Sequence, residues 1–330
     1  VRILAAPDKF RGTATAGDVA AAIAAAGRTV GARTIELPLS DGGEGFLDAF
    51  GGANHRLVVT GPLGAPVEAG WRLDGRTAVI EMAAASGLGL VGGADGNDPI
   101  GATTAGTGEL ILAALEAGAR RIVIGHGGSA STDGGLAAIR SLTSAARLRG
   151  VDLIAAVDVR TPFLDAAEVF APQKGATVSQ VALLSRRLER LAQVYREDFD
   201  VDVTVLPGAG AAGGLAGGLA AVGARIELGF DVIAEEVDLD AEIEAADLVV
   251  TGEGFLDATS FDGKVVGGVV ELAAEFGVPV LAVAGQVFDG ADERVEAIDL
   301  VARHGDQRAR TDTVACITEA VADWLARNAS

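Results

Sequence analysis

The chain has 330 residues, room for one very large domain or two ordinary ones. With 49% hydrophobic but only 4% aromatic residues, its core must be built from Ala, Val, Leu and Ile, and a formal net charge of −20 argues against nucleic acid and anionic membrane as partners. No apolar run approaches the ~18 residues needed to span a bilayer, and a single cysteine, Cys316, excludes an intrachain disulfide or a cysteine metal cluster.

Residues 2–6 read as a first strand reached at once, so no signal peptide is expected and a cytoplasmic location is. Pro7-Asp8-Lys9-Phe10-Arg11-Gly12-Thr13 is a loop, and Thr15 caps a helix with Val19, Ala22, Ile23 and Ala26 at helical spacing. Residues 33–38 read as a second strand, ending in Ser40-Asp41-Gly42-Gly43-Glu44-Gly45 before a short helix through Phe50. Both loops thus lie at strand carboxyl ends, where open α/β sheets bind ligands. Residues 55–60, 65–73 and 76–83 then read as short strands joined by Gly-Pro and Asp-Gly turns. Thr107 or a neighbour caps a helix from Glu109 to Ala117.

The central stretch is 121–139. Ile122, Val123 and Ile124 form a buried strand, and Leu136 opens a helix. Between them Gly125, Gly127, Gly128, Gly134 and Gly135 alternate with Ser129, Ser131, Thr132 and Asp133. One glycine would suffice for a tight turn; this density favours a backbone-lined anion site. Residues 153–158 are another buried strand ending at Asp158, and Pro172-Gln173-Lys174-Gly175 precedes an amphipathic helix over about 179–197. A strand at 201–206 leads to Gly208-Ala209-Gly210-Ala211-Ala212-Gly213-Gly214 and a helix through Ala221. The last third alternates: strand 247–251, a loop from Gly252-Glu253-Gly254 to Lys264, helix 265–276, strand 278–284, a weaker strand 299–302 and a closing helix 312–327.

The fold expected is α/β with two α/β domains. Residues 1–54 and 245–330 form one Rossmann- or flavodoxin-like domain whose parallel sheet is built from both chain ends, and residues 55–244 form an inserted mixed α/β domain. Several chemistries are excluded or weak. No Gly-x-x-x-x-Gly-Lys-Ser/Thr loop and no Gly-x-Ser-x-Gly elbow exists. His55, His126 and His304 are scattered, so neither a histidine metal site nor a Ser-His-Asp triad is supported, and His126 reads as loop filler. Gly208-x-Gly210-x-x-Gly213 fits a dinucleotide fingerprint by letter, but Pro207 is awkward there and no acidic partner follows at the required distance.

What recurs is a carboxylate in a glycine loop at a strand end: Asp8, Asp41 with Glu44, Asp133, Asp158, and Glu253 with Asp257. Any one of these could be a helix N-cap. An anionic ligand on so acidic a chain needs local cations, and the only lysines, Lys9, Lys174 and Lys264, all lie in or beside such loops. Carboxylates that hold Mg²⁺ or accept a hydroxyl proton, with lysines and glycine amides for phosphates, suit phosphoryl transfer.

In order along the chain stand Asp8–Thr13, Asp41–Gly45, Glu81–Leu88, Ala102–Leu110, Gly127–Ala130, Pro172–Ala176, Gly208–Gly214 and Thr251–Gly254. This set closely resembles the bacterial class I glycerate kinases over almost the whole length. The resemblance implies ATP- and Mg²⁺-dependent phosphorylation of D-glycerate, typically at the 2-hydroxyl, in a cleft between two α/β domains. It places Asp8, Arg11, Asp41, Glu44, Ser129, Asp133, Asp158, Lys174, Glu253, Asp257 and Lys264 in that cleft. Going further, Asp133 or Asp158 is the base for the glycerate hydroxyl, with Lys264 catalytic. Lys174, Lys264 and the amides of Gly127, Gly128, Gly208, Gly210, Gly252 and Gly254 face ATP phosphates. Glu253 or Asp257 holds Mg²⁺, and Asp8, Lys9, Arg11, Asp41, Glu44 and Ser129 meet the acid. The chain departs from the family where Arg11 replaces Lys, Thr132 replaces Asn, Ala105 replaces Tyr, and Phe255-Leu256-Asp257-Ala258-Thr259-Ser260 replaces Arg-Ile-Asp-Ser-Gln-Thr. The alternatives are a kinase of another small hydroxy acid and a weakened relative that binds a nucleotide or sugar acid and regulates. Homo-oligomerisation is left open.

Overall fold

The computed structural model describes residues 1–288 and 290–328. The strands in chain order are β1 (Arg2–Ala5), β2 (Arg33–Glu36), β3 (His55–Thr60), β4 (Pro66–Asp74), β5 (Thr77–Glu81), β6 (Arg121–Gly125), β7 (Asp152–Val157), β8 (Arg225–Leu228), β9 (Leu248–Leu256), β10 (Val280–Val287) and β11 (Glu296–Asp299). They form two sheets, and the chain divides into two units: Val1–Asp41 with Phe230–Ser330, and Gly42–Gly229.

The first unit carries a five-stranded sheet in the order β11-β10-β9-β1-β2, parallel throughout. Every strand is therefore fed by a crossover, and all carboxyl ends lie along one edge. The helix Ala16–Thr29 starts where Thr15 and Asp18 form a capping box, each satisfying the other's backbone N–H. Its Val19, Ile23 and Ala26 bury against Ile3, Val250, Leu281 and Val283 of the sheet and Ile317 and Val321 of the closing helix Thr313–Asn328.

The second unit carries a six-stranded mixed sheet, β3-β4-β5-β6-β7-β8. The β3-β4-β5 pairs are antiparallel and β5-β6-β7-β8 parallel. Ile80, Ile122, Ile124 and Leu153 meet Trp71, Leu110, Leu142, Leu215 and Leu219 in its core.

The division falls at 41/42 and 229/230, where the sequence suggested 54/55 and 244/245. Phe46 packs on the backbone at Gly125, and the Leu47 amide donates to Glu81 at 3.3 Å, so residues 42–54 go with the second unit. The Phe230 ring lies against Gly268, drawing residues 230–244 to the first.

Four expected elements change. The helix expected from Glu109 begins at Ala105, because Thr107 is not its cap: the Thr107 hydroxyl bonds Ser86 at 2.8 Å inside the helix. Residues 201–206 are not a strand but hold a 3₁₀ turn, Val203–Val205, nucleated by the Asp202 carboxylate on the Thr204 N–H and hydroxyl. At 299–302 the strand ends where a helix starts, since Asp299 caps Leu300–His304 by accepting from the Ala302 amide. Finally, β9 does not stop at Thr251. It continues to Leu256, paired with β10 from Val280↔Val249 to Val287↔Leu256, and Gly252 is needed because a Cβ there would strike the Val283 carbonyl. Glu253 therefore lies in a strand, not in a loop. Arg225–Leu228 and the helices Gly229–Glu236 and Leu239–Glu244 carry no expectation from the sequence.

Candidate active site

In the first unit, adjacent strands β9, β1 and β2 deliver Glu253, Asp8 with Lys9, and Asp41 to the carboxyl edge of the sheet. Lys9 Nζ stands 3.6 Å from Asp8 Oδ1 and 3.9 Å from Asp41 Oδ1, and the Lys9 amide donates to Asp8 Oδ1 at 2.7 Å. One ammonium thus serves two buried carboxylates. Burial above all, and then the charge of Asp41, push Asp8 up to about 6 against the pull of Lys9. Glu253 is pushed up to about 7, again mainly by burial; Ser260 and Lys264 oppose the rise, while Asp8 and Asp41 add to it. Its Oε1 is buried with no hydrogen-bond partner. These carboxylates feel one another and lack enough positive charge.

The remaining first-unit residues divide. Lys264 is the N-cap residue of the helix Val265–Phe276, its Nζ 3.2 Å from the Thr259 hydroxyl. Asp257 is engaged elsewhere. Its Oδ1 accepts from the Thr259 amide and hydroxyl, both at 2.7 Å, closing a capping box over the turn Ala258–Phe261, and these bonds hold it below the usual carboxylate range. Of the two candidates for metal, Glu253 keeps an open oxygen and Asp257 holds a turn. Arg11 lines a shallow hollow with Phe10, Gly254 and Phe255.

In the second unit the centre is the loop after β6. Lys174 is buried, and its Nζ donates to Ser129 Oγ at 2.7 Å and to the Ser131 carbonyl at 2.6 Å. Burial brings its pKa down to about 7 despite the nearby charge of Asp133. Lys174 therefore braces the loop rather than standing open for phosphate. Asp133 is likewise occupied: its carboxylate accepts from the Thr104 amide at 2.9 Å, the Thr104 hydroxyl at 2.8 Å and the Gly135 amide at 3.0 Å. Asp158 follows the last residue of β7 on the carboxyl edge of the same sheet. Glu44 is exposed in the turn before the helix Phe46–Ala49.

The loop glycines have packing reasons. A Cβ at Gly127 would fall inside the Gly43 backbone, and one at Gly210 inside the Pro162 carbonyl. Gly128 and Gly208 have positive φ. Gly127→Ala should lower stability by about 2 kcal/mol, the cost of overpacking against backbone, and a urea melt equal to wild type would refute that contact.

Two residues carry more than the sequence suggested. Thr104 anchors Asp133 through both amide and hydroxyl; its place in the Ala102–Leu110 motif was the available signal. His126 is fully buried, its Nδ1 on the Ile124 carbonyl at 2.8 Å, leaving Nε2 without a partner. Burial lowers its pKa to about 4, so the ring is neutral.

The sequence profile described as the Glycerate kinase family matches residues 3–146 and 137–329. The chain belongs to the glycerate kinase family. An Escherichia coli K12 relative named glycerate 2-kinase is 38% identical, with 88% of this chain and 86% of that one covered. A Bacillus subtilis glycerate kinase is 40% identical, with 87% and 85% covered. A solved structure from Salmonella typhimurium LT2, provisionally assigned as glycerate kinase 2, superposes with a TM-score of 0.83 at 34% identity, covering 100% of both chains. As a glycerate kinase family member, the chain is a phosphotransferase with an alcohol acceptor, a kinase of the class that works on small molecules with a nucleotide. Among the described residues no helix is long and apolar enough to cross a membrane.

Proposed function

We propose that the chain transfers the γ-phosphoryl group of ATP to the 2-hydroxyl of D-glycerate, giving 2-phosphoglycerate and ADP with the help of Mg²⁺. The observation that carries this reading is the buried, unpartnered Oε1 of Glu253 beside Asp8 and Asp41. Asp8 and Glu253, both pushed up by burial, and a single lysine shared between Asp8 and Asp41 call for a further cation. Among the described residues no three acidic, histidine or cysteine side chains form a complete metal cage. Mg²⁺ is commonly held by one or two carboxylates with phosphate oxygens and water filling the rest. Glu253 would hold it, with Asp8 close enough for their charges to interact. When bound, Mg²⁺ supplies positive charge to the phosphate oxygens.

The chain's own residues divide the remaining work. Asp133 has its oxygens committed to Thr104 and Gly135. Asp158, just past the carboxyl end of β7, is the base that takes the proton of the glycerate hydroxyl as that oxygen attacks in line. Lys264, at a helix start, faces phosphate charge together with the first free amides of that helix. Lys9 and Arg11 supply cations for the glycerate carboxylate. Lys174 keeps the loop with Ser129 in shape.

The test is incubation with Mg-ATP and D-glycerate, beside L-glycerate, glycolate and tartronate, followed by phosphorus NMR of the product. A 2-phosphoglycerate signal that disappears on chelation supports the reading; turnover of another acid only, or of none, overturns it. Asp158→Asn should lower kcat about a hundredfold with ATP affinity little changed. Undiminished turnover would remove Asp158 from the role of base.

A further inference from the structure

Each of the two sheets has two edge strands, and three of these four edges are ill suited to pair further. β2, β8 and β11 are four residues long and carry carboxylates: Glu36, Glu227, and Glu296 with Asp299. β3 differs. Its six residues include no acid and no proline, and His55, Arg56, Leu57 and Val58 are all exposed. Val58 is 64% exposed and Leu57 37%. Edge strands are normally kept short, charged or covered, because their outer N–H and C=O groups invite another strand.

The open part of this edge is defined residue by residue. The Gly61 amide donates to the Ala65 carbonyl at 2.7 Å where the β3–β4 hairpin closes, so odd-numbered residues of β3 turn their backbone groups to β4 and even-numbered ones turn them outward. Thr60 bears this out. Its outward amide donates to Glu109 Oε2 at 2.8 Å and its hydroxyl to Glu109 Oε1 at 2.6 Å, so the helix Ala105–Glu116 covers that end of the edge. Arg56 and Val58 have no such cover. Among the described residues nothing bonds their amides or carbonyls on the open side.

We propose that β3 pairs antiparallel with β3 of a second copy of this chain, about a two-fold axis at Leu57. In that register Arg56 stands opposite the second copy's Val58, and Val58 opposite its Arg56. Each such pair exchanges both of its N–H···O=C bonds, so every open group of the edge is used. On one face Leu57 meets its own counterpart. On the other, Val58 lies beside the aliphatic stem of the second copy's Arg56. Charge favours this edge as well. Two chains of net charge −20 repel, and β3 offers a contact without an acid of its own, where Arg56 is balanced at 2.9 Å by Glu68 of β4. One short strand buries less than the ~1,200 Å² of a stable interface, so the dimer is weak, forms with rising concentration and is favoured by salt, which screens the net repulsion.

The experiment is sedimentation velocity on the full chain over roughly 5 to 500 µM, at low and high salt, for wild type and Val58→Pro. Proline removes an outward N–H that the β3–β4 pairing does not use, and edge strands tolerate it there, so the two proteins should melt alike. Leu57→Cys and Val58→Cys are oxidised in parallel; the native Cys316 is buried and does not compete. The expected result is a monomer–dimer equilibrium that tightens with salt, with Kd raised at least ~10-fold by Val58→Pro, which takes one donor from each copy. Leu57→Cys should cross-link into a dimer, since residues facing each other at the axis stand about 4.5 Å apart at Cα. Val58→Cys, offset along the strand from its counterpart, should not. A wild type that stays monomeric throughout, a dimer that Val58→Pro leaves intact, or equal cross-linking by the two cysteine variants would each refute the pairing. Should Val58→Pro fail to fold, the contrast between the cysteine variants decides alone.

Discussion

Glu253→Gln should cut turnover about a thousandfold while making the folded chain more stable above pH 7. The activity loss follows from removing the carboxylate charge from the site proposed above for cation and phosphate. The stability gain follows from the buried, unpaired Oε1. In the unfolded chain this carboxyl titrates near 4.5, and in the fold near 7. Between those values the folded state keeps a proton that the unfolded state has lost, so this group's contribution is fully present below about pH 4.5 and is lost as pH rises through about 7. Glutamine has the same shape and nothing to ionise. The gain at pH 8 is bounded by the shift itself, on the order of 3 kcal/mol, and should vanish at pH 4.5. Urea melts at the two pH values check it. A variant less stable than wild type at pH 8, or one with near-normal kcat, would refute the account.

Lys174→Met should destabilise the second unit by about 3 to 5 kcal/mol, the usual consequence of taking one partner from a buried charged cluster. Methionine fills the volume but donates nothing to Ser129 Oγ or the Ser131 carbonyl, and it removes a positive charge that interacts with Asp133. The wild-type pH dependence has a defined sign. The lysine titrates near 10.5 in the unfolded chain and near 7 in the fold. From pH 7 to 10.5 the unfolded state holds the extra proton, so wild-type stability gains from this group as pH rises through that window. The methionine variant should lack that slope. An unfolding midpoint within error of wild type would mean that Lys174 does not hold the loop.

The parts of the fold legible in sequence were those written locally. The Thr15 cap, the buried triplet Ile122–Ile124 and the periodic helix before Phe199 need only a few neighbours to be recognised. The extension of β9 was not legible, because Glu253 and Gly254 are held in line by β10, some thirty residues on. The site shows the same contrast. Asp8, Lys9, Asp41 and Glu253 come together on one sheet; Asp8, Lys9 and Asp41 follow strand ends as the sequence suggested, whereas Glu253 lies inside β9. The carboxylates with local work looked no different in sequence: Asp257 closes its own turn, and Asp133 is taken by a threonine twenty-nine residues upstream. The glycine density after β6 pointed to an anion, yet Gly127 and Gly134 answer first to backbone and leucine packing.

The sheet β11-β10-β9-β1-β2 draws on both ends of the chain, while residues 42–229 are continuous. A chain emerging from the ribosome can therefore close the second unit as soon as β8 is out. The first 41 residues must wait, because β1 has β2 on one side and needs β9 on the other. Joining strands separated by two hundred and more residues carries a loop-closure cost that an already folded insert shortens. The order of synthesis thus assigns the insert the task of bringing its own flanks together, and a chain truncated before β9 leaves Asp8, Lys9 and Asp41 on an unfinished edge.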